Sequence, residues 1–245
     1  MLSESPHPLA PLVRKLRLWA QFTSAEEDAI LRLPYVMKRF EPGNYIVRDG
    51  DRPQHACLLV SGFAFRSKLV GDGGRQILAV HIPGDIVDLQ NALLRIADHN
   101  VQALTNGQVA MIPRQEVQRL AFDRPQVGMA MWYDTLVDGA IHREWTANVG
   151  RRDGETRMAH LLCEFGVRLE AIGLGSTAKY DLPMTQEQLA DCTGMTPVHT
   201  NRILKSLDNR GLTARMKRSV HISDFETLSK VGDFNRDYLH LERLA

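Results

Sequence analysis

The stretch from Leu182 to Ile222, LPMTQEQLADCTGMTPVHTNRILKSLDNRGLTARMKRSVHI, narrows the fold of this chain more than any other. Thr185 followed three residues later by Gln188 has the form of a capping box, which predicts a short helix that carries Leu189 inward. Thr193-Gly194-Met195 interrupts it. Thr196 then sets a capping hydroxyl before Pro197, whose fixed φ suits a first helical position, and a second helix is expected from Pro197 to about Asn209. Ile203, Leu204 and Leu207 form its apolar stripe, leaving His199, Asn201, Arg202, Lys205 and Ser206 to face outward. Two short helices joined by a glycine-containing turn, the second with a polar and basic front, make a helix-turn-helix.

Gly211 can close the second helix, and Leu212-Thr213-Ala214 and Ser219-Val220-His221-Ile222 read as two strands around Arg215-Met216-Lys217-Arg218, a wing. Between Asn201 and His221 six cations face one acid, Asp208, a local charge of +5 in a chain whose total is +1. A charge run is ordinarily a solvated surface. Joined to helix-turn-helix spacing and a wing, it points to double-stranded DNA, whose phosphates need such a patch.

Upstream, Pro6, Pro8 and Pro11 mark an irregular entry, followed by an expected apolar helix around Val13 to Phe22 and another capped by Thr23 or Ser24. From Val36 to about Val117 short apolar stretches alternate with turn signals such as Asp49-Gly50-Asp51, Gly71-Asp72-Gly73-Gly74 and Pro83-Gly84-Asp85, the pattern of an antiparallel sandwich or barrel. A long helix is expected over Gln126 to about Val149, with Met129, Trp132, Leu136 and Ala140 placed to meet a second copy, and Gly150 as a hinge. Burial of that helix within one monomer is the alternative. Met158, Leu161, Leu162, Phe165 and Leu169 trace the stripe of a helix at the base of the C-terminal domain.

No apolar run approaches the ~20 residues of a membrane helix, and the start MLSESPHPLAPLVRK lacks the apolar core of a signal peptide, so a cytoplasmic protein without a membrane partner is expected. Cys57, Cys163 and Cys192 are too few and too scattered for a disulfide framework, a zinc site or an iron-sulfur cluster, and each is expected to be a buried hydrophobe. His81 and His99 do not cluster with a glutamate as a cupin-like metalloenzyme would require. Neither a metal, a cofactor nor an enzymatic activity is assigned.

The order of barrel, long helix and winged helix-turn-helix carries PGDIVDL in the barrel, GRRDGETRMAHLLCEF after the long helix, and LPMTQEQLADCTGMTPVHTNRILKSLDNRGL near the end. It resembles the Crp/Fnr family of bacterial transcription regulators. The resemblance implies an α+β chain: a helical segment over 1–35, an antiparallel jelly-roll barrel of the cyclic-nucleotide-binding type over 36–122, a dimerisation helix over 123–150 and a winged helix-turn-helix over 151–245. It also implies a homodimer on a two-fold symmetric operator with half-sites about 10 to 10.5 base pairs apart, and a contact with RNA polymerase.

By the same resemblance, Arg202 matches the family's base-reading arginine, a bidentate donor for guanine. Val198 stands where the family carries a reading glutamate, with His199 beside it; valine offers only apolar contact, as to a thymine methyl. Gln186, Thr196, Lys205, Lys217 and Arg218 are expected at phosphates, which position without specifying. In the barrel, the family's nucleotide-binding glycine-glutamate pair falls on Asp88 and Leu89. Its phosphate-binding pair falls near Ala97, Asp98 and His99, with Arg95 two residues out of register, so a phosphate would meet carboxylates. Cyclic AMP is therefore not expected to bind, and the effector is unknown: another small ligand, haem at His81 or His99, and oxidation of Cys192 stay open, as does a protein-binding adaptor of the same fold.

Overall fold

The alternation of apolar and polar residues from Val36 onward resolves, in the computed structural model, into seven short antiparallel strands. Residues 7–71, 73–216 and 218–241 are described. They fall into two compact units, one holding the chain up to Ser67 together with Val80–Leu136, the other holding Lys68–Ala79 and the chain from Val137 onward.

In the first unit, β1 (Val36–Phe40), β7 (Gly107–Pro113) and β3 (His55–Ser61) make one sheet in that order. A second sheet runs β2 (Tyr45–Val47), β6 (Asn100–Ala103), β4 (Ala64–Leu69) and β5 (Arg75–His81), of which Lys68, Leu69 and Arg75–Ala79 count with the second unit. Both are closed by one core that takes Phe40, Cys57, Leu59 and Val109 from the first and Val47, Ala64, Val101 and Ala103 from the second. The expected barrel thus takes the form of a two-sheet roll. Its PGD turn is a type II turn: Asp85 N–H donates to the Ile82 carbonyl at 3.1 Å and Gly84 adopts φ +102°. A Cβ at Gly84 would also lie 2.9 Å from the Pro11 carbonyl oxygen, so glycine is required twice over.

That approach comes from α1, which spans Ala10–Leu16, earlier than expected, because Pro11 fits its first turn and Leu16 is its last helical residue. Lys15 on α1 holds Asp85 at 2.8 Å, and the buried Trp19 stacks on Tyr133 at 5.2 Å between ring centroids. Helix α2 (Ser24–Leu31) begins at a complete capping box between Thr23 and Glu26. A further helix, α3 (Arg114–Asp123), was not anticipated; only Val117 and Leu120 of its ten residues are buried.

Helix α4 runs Pro125–Arg151 and passes through Gly150, so the break before the next helix falls at Arg152-Asp153. Its exposed apolar side chains are Met129, Trp132 and Leu136, 54, 61 and 56% accessible. Ala140, expected beside them, is already buried within the chain, its small methyl covered by neighbouring side chains. Asp153 caps α5 (Gly154–Ala171), accepting from Thr156 N–H at 2.9 Å.

In the second unit Glu164 of α5 is completely enclosed. Its carboxylate accepts from Trp145 Nε1 at 2.9 Å, from the Tyr238 hydroxyl at 2.8 Å and from Arg168 Nη1 at 3.2 Å. Three donors, one of them cationic, offset the loss of hydration. Arg75 pairs with Asp191 at 2.7 Å within this same unit. This unit also holds β8 (Gly175–Ser176), β9 (Lys179–Asp181), α6 (Gln186–Thr193), α7 (Pro197–Asn209), β10 (Thr213–Met216), β11 (Ser219–Ile222), α8 (Phe225–Val231) and a 3-10 turn at Asp237–Leu239, with the sheet ordered β10-β11-β9-β8.

Asp88, just before the 3-10 turn Leu89–Ala92, is the most deeply buried acid among the described residues of the first unit. One oxygen accepts from Cys57 N–H at 2.9 Å, and burial holds the carboxyl up at about 6, opposed by that hydrogen bond, by the Asn91 side chain and by Arg66. The folded state keeps a proton that the unfolded chain loses near the ordinary 3.8. Stability from this group is therefore greatest below the unfolded value and falls as pH rises toward 6, by about 3 kcal/mol in all. Asp88→Asn keeps the acceptor without the charge. In guanidinium titrations the variant should gain on the native chain by ~1–3 kcal/mol between about pH 4 and pH 7.5; a constant difference would overturn this assignment.

Candidate nucleic-acid interface

Helix α6 (Gln186–Thr193) starts as its sequence requires: Thr185 Oγ1 accepts from Gln188 N–H at 3.1 Å and Gln188 Oε1 accepts from Thr185 N–H at 2.9 Å. Gly194 closes it in the left-handed conformation, φ +63°, and Met195 N–H returns to the Ala190 carbonyl at 3.1 Å. Thr196 then caps α7 (Pro197–Asn209), accepting from His199 N–H at 3.3 Å. Thr200, Ile203, Leu204 and Leu207 are the buried face of α7; Thr200 extends the expected stripe by one turn.

Two contacts that sequence reasoning missed hold this pair of helices. Arg157 of α5 donates to the Thr193 carbonyl at 3.0 Å and to the Arg152 carbonyl at 2.8 Å, tying the turn to the start of α5. Gly154 lets α7 come close: a Cβ there would lie 2.7 Å from both His199 Nε2 and Ile203 Cδ1. Its only sequence signal is a glycine directly after the capping Asp153, where a side chain is usually tolerated.

With one face pinned, the other projects. Val198 is 72% accessible, and His199, Arg202 and Lys205 are exposed beside it. Neither Arg202 nor Lys205 has an ion-pair partner among the described residues, which leaves both charges available. Gln186, in the first turn of α6, and Thr196 are exposed on the same side. A groove of about 380 Å³ runs beside Gln186, walled also by Thr185, Asn201, Lys205, Asp208 and Thr213.

The wing is β10 (Thr213–Met216) and β11 (Ser219–Ile222), antiparallel with Arg215 opposite Val220. Arg218 is exposed at its tip, its carbonyl accepting from Leu182 N–H at 2.7 Å. Lys217 lies outside the described residues. Arg210, counted in the basic patch from the sequence, is instead paired with Glu155 at the start of α5.

The four residues of the expected effector pocket meet different surroundings. Asp88 is enclosed, Leu89 is half-buried at the start of the 3-10 turn, and Arg95 is exposed beyond that turn. His99 is buried, its Nδ1 2.6 Å from Asp98 Oδ1 and its Nε2 3.4 Å from Gln90. Cys57, Cys163 and Cys192 are all buried, and burial pushes each thiol up, Cys163 to about 12, so they persist as thiols. Among the described residues there is no group of three or more potential metal ligands, and no helix is long and apolar enough to cross a membrane.

Residues 37–124 match the cyclic nucleotide-binding domain, and residues 156–231 match the Crp-like helix-turn-helix domain. Among curated relatives, the transcriptional activator protein FnrL of Cereibacter sphaeroides is 27% identical over 85% of this chain and 86% of its own length. The nitrogen fixation regulation protein FixK of Rhizobium meliloti is 27% identical over 80% of this chain and 86% of its own. The solved structure of FixK2 from Bradyrhizobium japonicum superposes with a TM-score of 0.73 at 22% identity, covering 81% of this chain and 98% of that one. With the cyclic nucleotide-binding domain and the Crp-like helix-turn-helix in this order, and relatives aligned along most of its length, the chain belongs to the Crp/Fnr family of transcription regulators, DNA-binding proteins and not enzymes.

Proposed function

We propose that the protein acts as a homodimer on a two-fold symmetric operator, with α7 in the major groove. One observation carries this: α7 exposes Val198, His199, Arg202 and Lys205, while Thr200, Ile203, Leu204 and Leu207 are buried and Gly154 lets the start of α5 pack closely against it. Arg202 reads a guanine as a bidentate donor, and Val198 meets an apolar base edge such as the thymine methyl. His199 contributes a ring nitrogen next to them. Gln186, Thr196, Lys205 and Arg218 hold phosphates, as does Lys217. The functional division follows the order of the chain, with residues 36–122 as the sensor-like part, 123–150 as the dimer helix and 151–245 as the DNA-binding part.

Dimerisation uses Met129, Trp132 and Leu136, spaced three and four residues apart on α4, because more than half of each side chain is exposed in the single chain and a large aromatic is a frequent interface anchor. Cyclic AMP is not the effector. Leu89 cannot accept from a ribose hydroxyl, and the region where a cyclic phosphate would sit holds Asp98 and a buried His99 already occupied by it. Relatives named transcriptional activators support activation through RNA polymerase.

Selection from a random DNA pool should return a symmetric site, and calorimetry with cyclic AMP should show no saturation; an asymmetric consensus or micromolar saturation would overturn the respective claim. On the selected site, Arg202→Ala should lose ~1–3 kcal/mol of discrimination at one base, whereas Lys205→Ala should weaken specific and random DNA alike. Sedimentation of Trp132→Glu should show association weakened by at least ~2 kcal/mol relative to the native dimer, the range of an interface hot spot. Equal sedimentation of the two would remove α4 as the dimer contact.

A further inference from the structure

Away from the positions matched to nucleotide binding, the first unit contains a second concavity. It lies between the edge strands β1 and β2, encloses about 490 Å³ and falls within the range of small-molecule sites. Its floor is apolar: Phe40, Ile46, Cys57, Val109 and Met111. Its rim carries Lys38, Arg39 and Arg48, and no carboxylate stands among its described wall residues. None of the three cations has an ion-pair partner among the described residues.

Surface cations are ordinarily solvated and loose, yet two of these are directed. The Arg48 guanidinium sits 3.9 Å from the centroid of the Tyr45 ring, a cation–π contact that fixes its plane at the mouth. Lys38 reaches close enough to the floor that its charge favours ionisation of Cys57, against the effects of burial and Asp88. Like charges converging over an apolar floor repel one another unless an anion lies between them. The adjoining cavity of about 230 Å³ shares Ile46, Cys57 and Met111, but its wall sets Asp51 and Asp88 beside Arg52, so carboxylates stand there and none among the described wall residues of the basic pocket.

We propose that this pocket binds a small amphipathic anion: a flat or branched apolar body over Ile46 and Met111, and a carboxylate or sulfonate-like head between Lys38 and Arg48. A phosphodiester is a poor fit, because the floor offers a nucleotide's sugar and base few polar partners. The site shares none of Leu89, Arg95 or His99 and does not depend on the DNA-binding reading.

The test is calorimetric titration of the full chain, without DNA, with 1-naphthalenesulfonate and with its neutral isostere 1-naphthalenesulfonamide. Saturable one-to-one uptake of the sulfonate is expected, and the sulfonamide should bind at least about tenfold more weakly, the worth of a charge-assisted contact. Lys38→Glu and Arg48→Glu, both at exposed positions, should each lose at least about tenfold while melting like the native chain. Arg95→Glu should bind normally. Absence of uptake, equal binding of the two probes, or an equal loss in Arg95→Glu would overturn the proposal. So would binding of an acidic peptide without uptake of the sulfonate, since the rim would then be a protein contact.

Discussion

A carboxylate with no access to water is tolerable only if its neighbours replace the hydration it lost, and Glu164 sets that condition for the C-terminal unit. Its three donors come from the end of α4, from α5 itself and from Tyr238 far along the chain. Removing Arg168 would leave a charge unpaired in the interior, and removing Trp145 or Tyr238 would leave the buried carboxylate short of a donor, each costing more than an ordinary contact. α5 is thereby fixed in place, and it holds α6 and α7 through Arg157, Gly154 and the apolar stripe of α7. The backbone of α7 is thus anchored, through α5, to a charge that lies far from its exposed side chains.

The same logic separates what could be read in the sequence from what could not. Thr185 with Gln188, Thr196 before Pro197, and the spacing of Ile203, Leu204 and Leu207 are local signals, each needing only a turn or two of chain, and the structure follows them. The type II turn at Pro83-Gly84 is local as well. By contrast α3 presents just two buried side chains in ten residues, too weak a period to distinguish from a polar connection. β6 is four residues long and owes its place to neighbours on both sides. Glu164 sat in a helical stripe like any polar residue, and its burial depends on Trp145 and Tyr238, which no window of sequence brings together.

Misplacements on the functional side share that cause. Ala140 fitted the three-and-four spacing of the exposed apolar residues of α4, but its neighbours in space, absent from the periodicity, cover it. Arg210 added to a basic run until Glu155 claimed it across the fold. Counting charges along the chain overstates a patch whenever a partner arrives from elsewhere, whereas Arg202 and Lys205 survived that test. In the barrel, Asp88 and His99 were legible as departures from the family's pattern. That one would be wholly enclosed and the other held by its own neighbour was not.

The closure of the Glu164 site by Tyr238 also has a temporal side. A chain emerging from the ribosome has all seven strands of the two-sheet roll once Pro113 is out, and those strands can pair while the rest is still being made. The DNA-binding part has no such freedom. Glu164 on α5 lacks the last of its three donors until the chain has been synthesised through Tyr238, so its final packing waits for the most distant of its partners. The order of synthesis therefore completes the seven strands of the two-sheet roll well before the last donor to Glu164 exists.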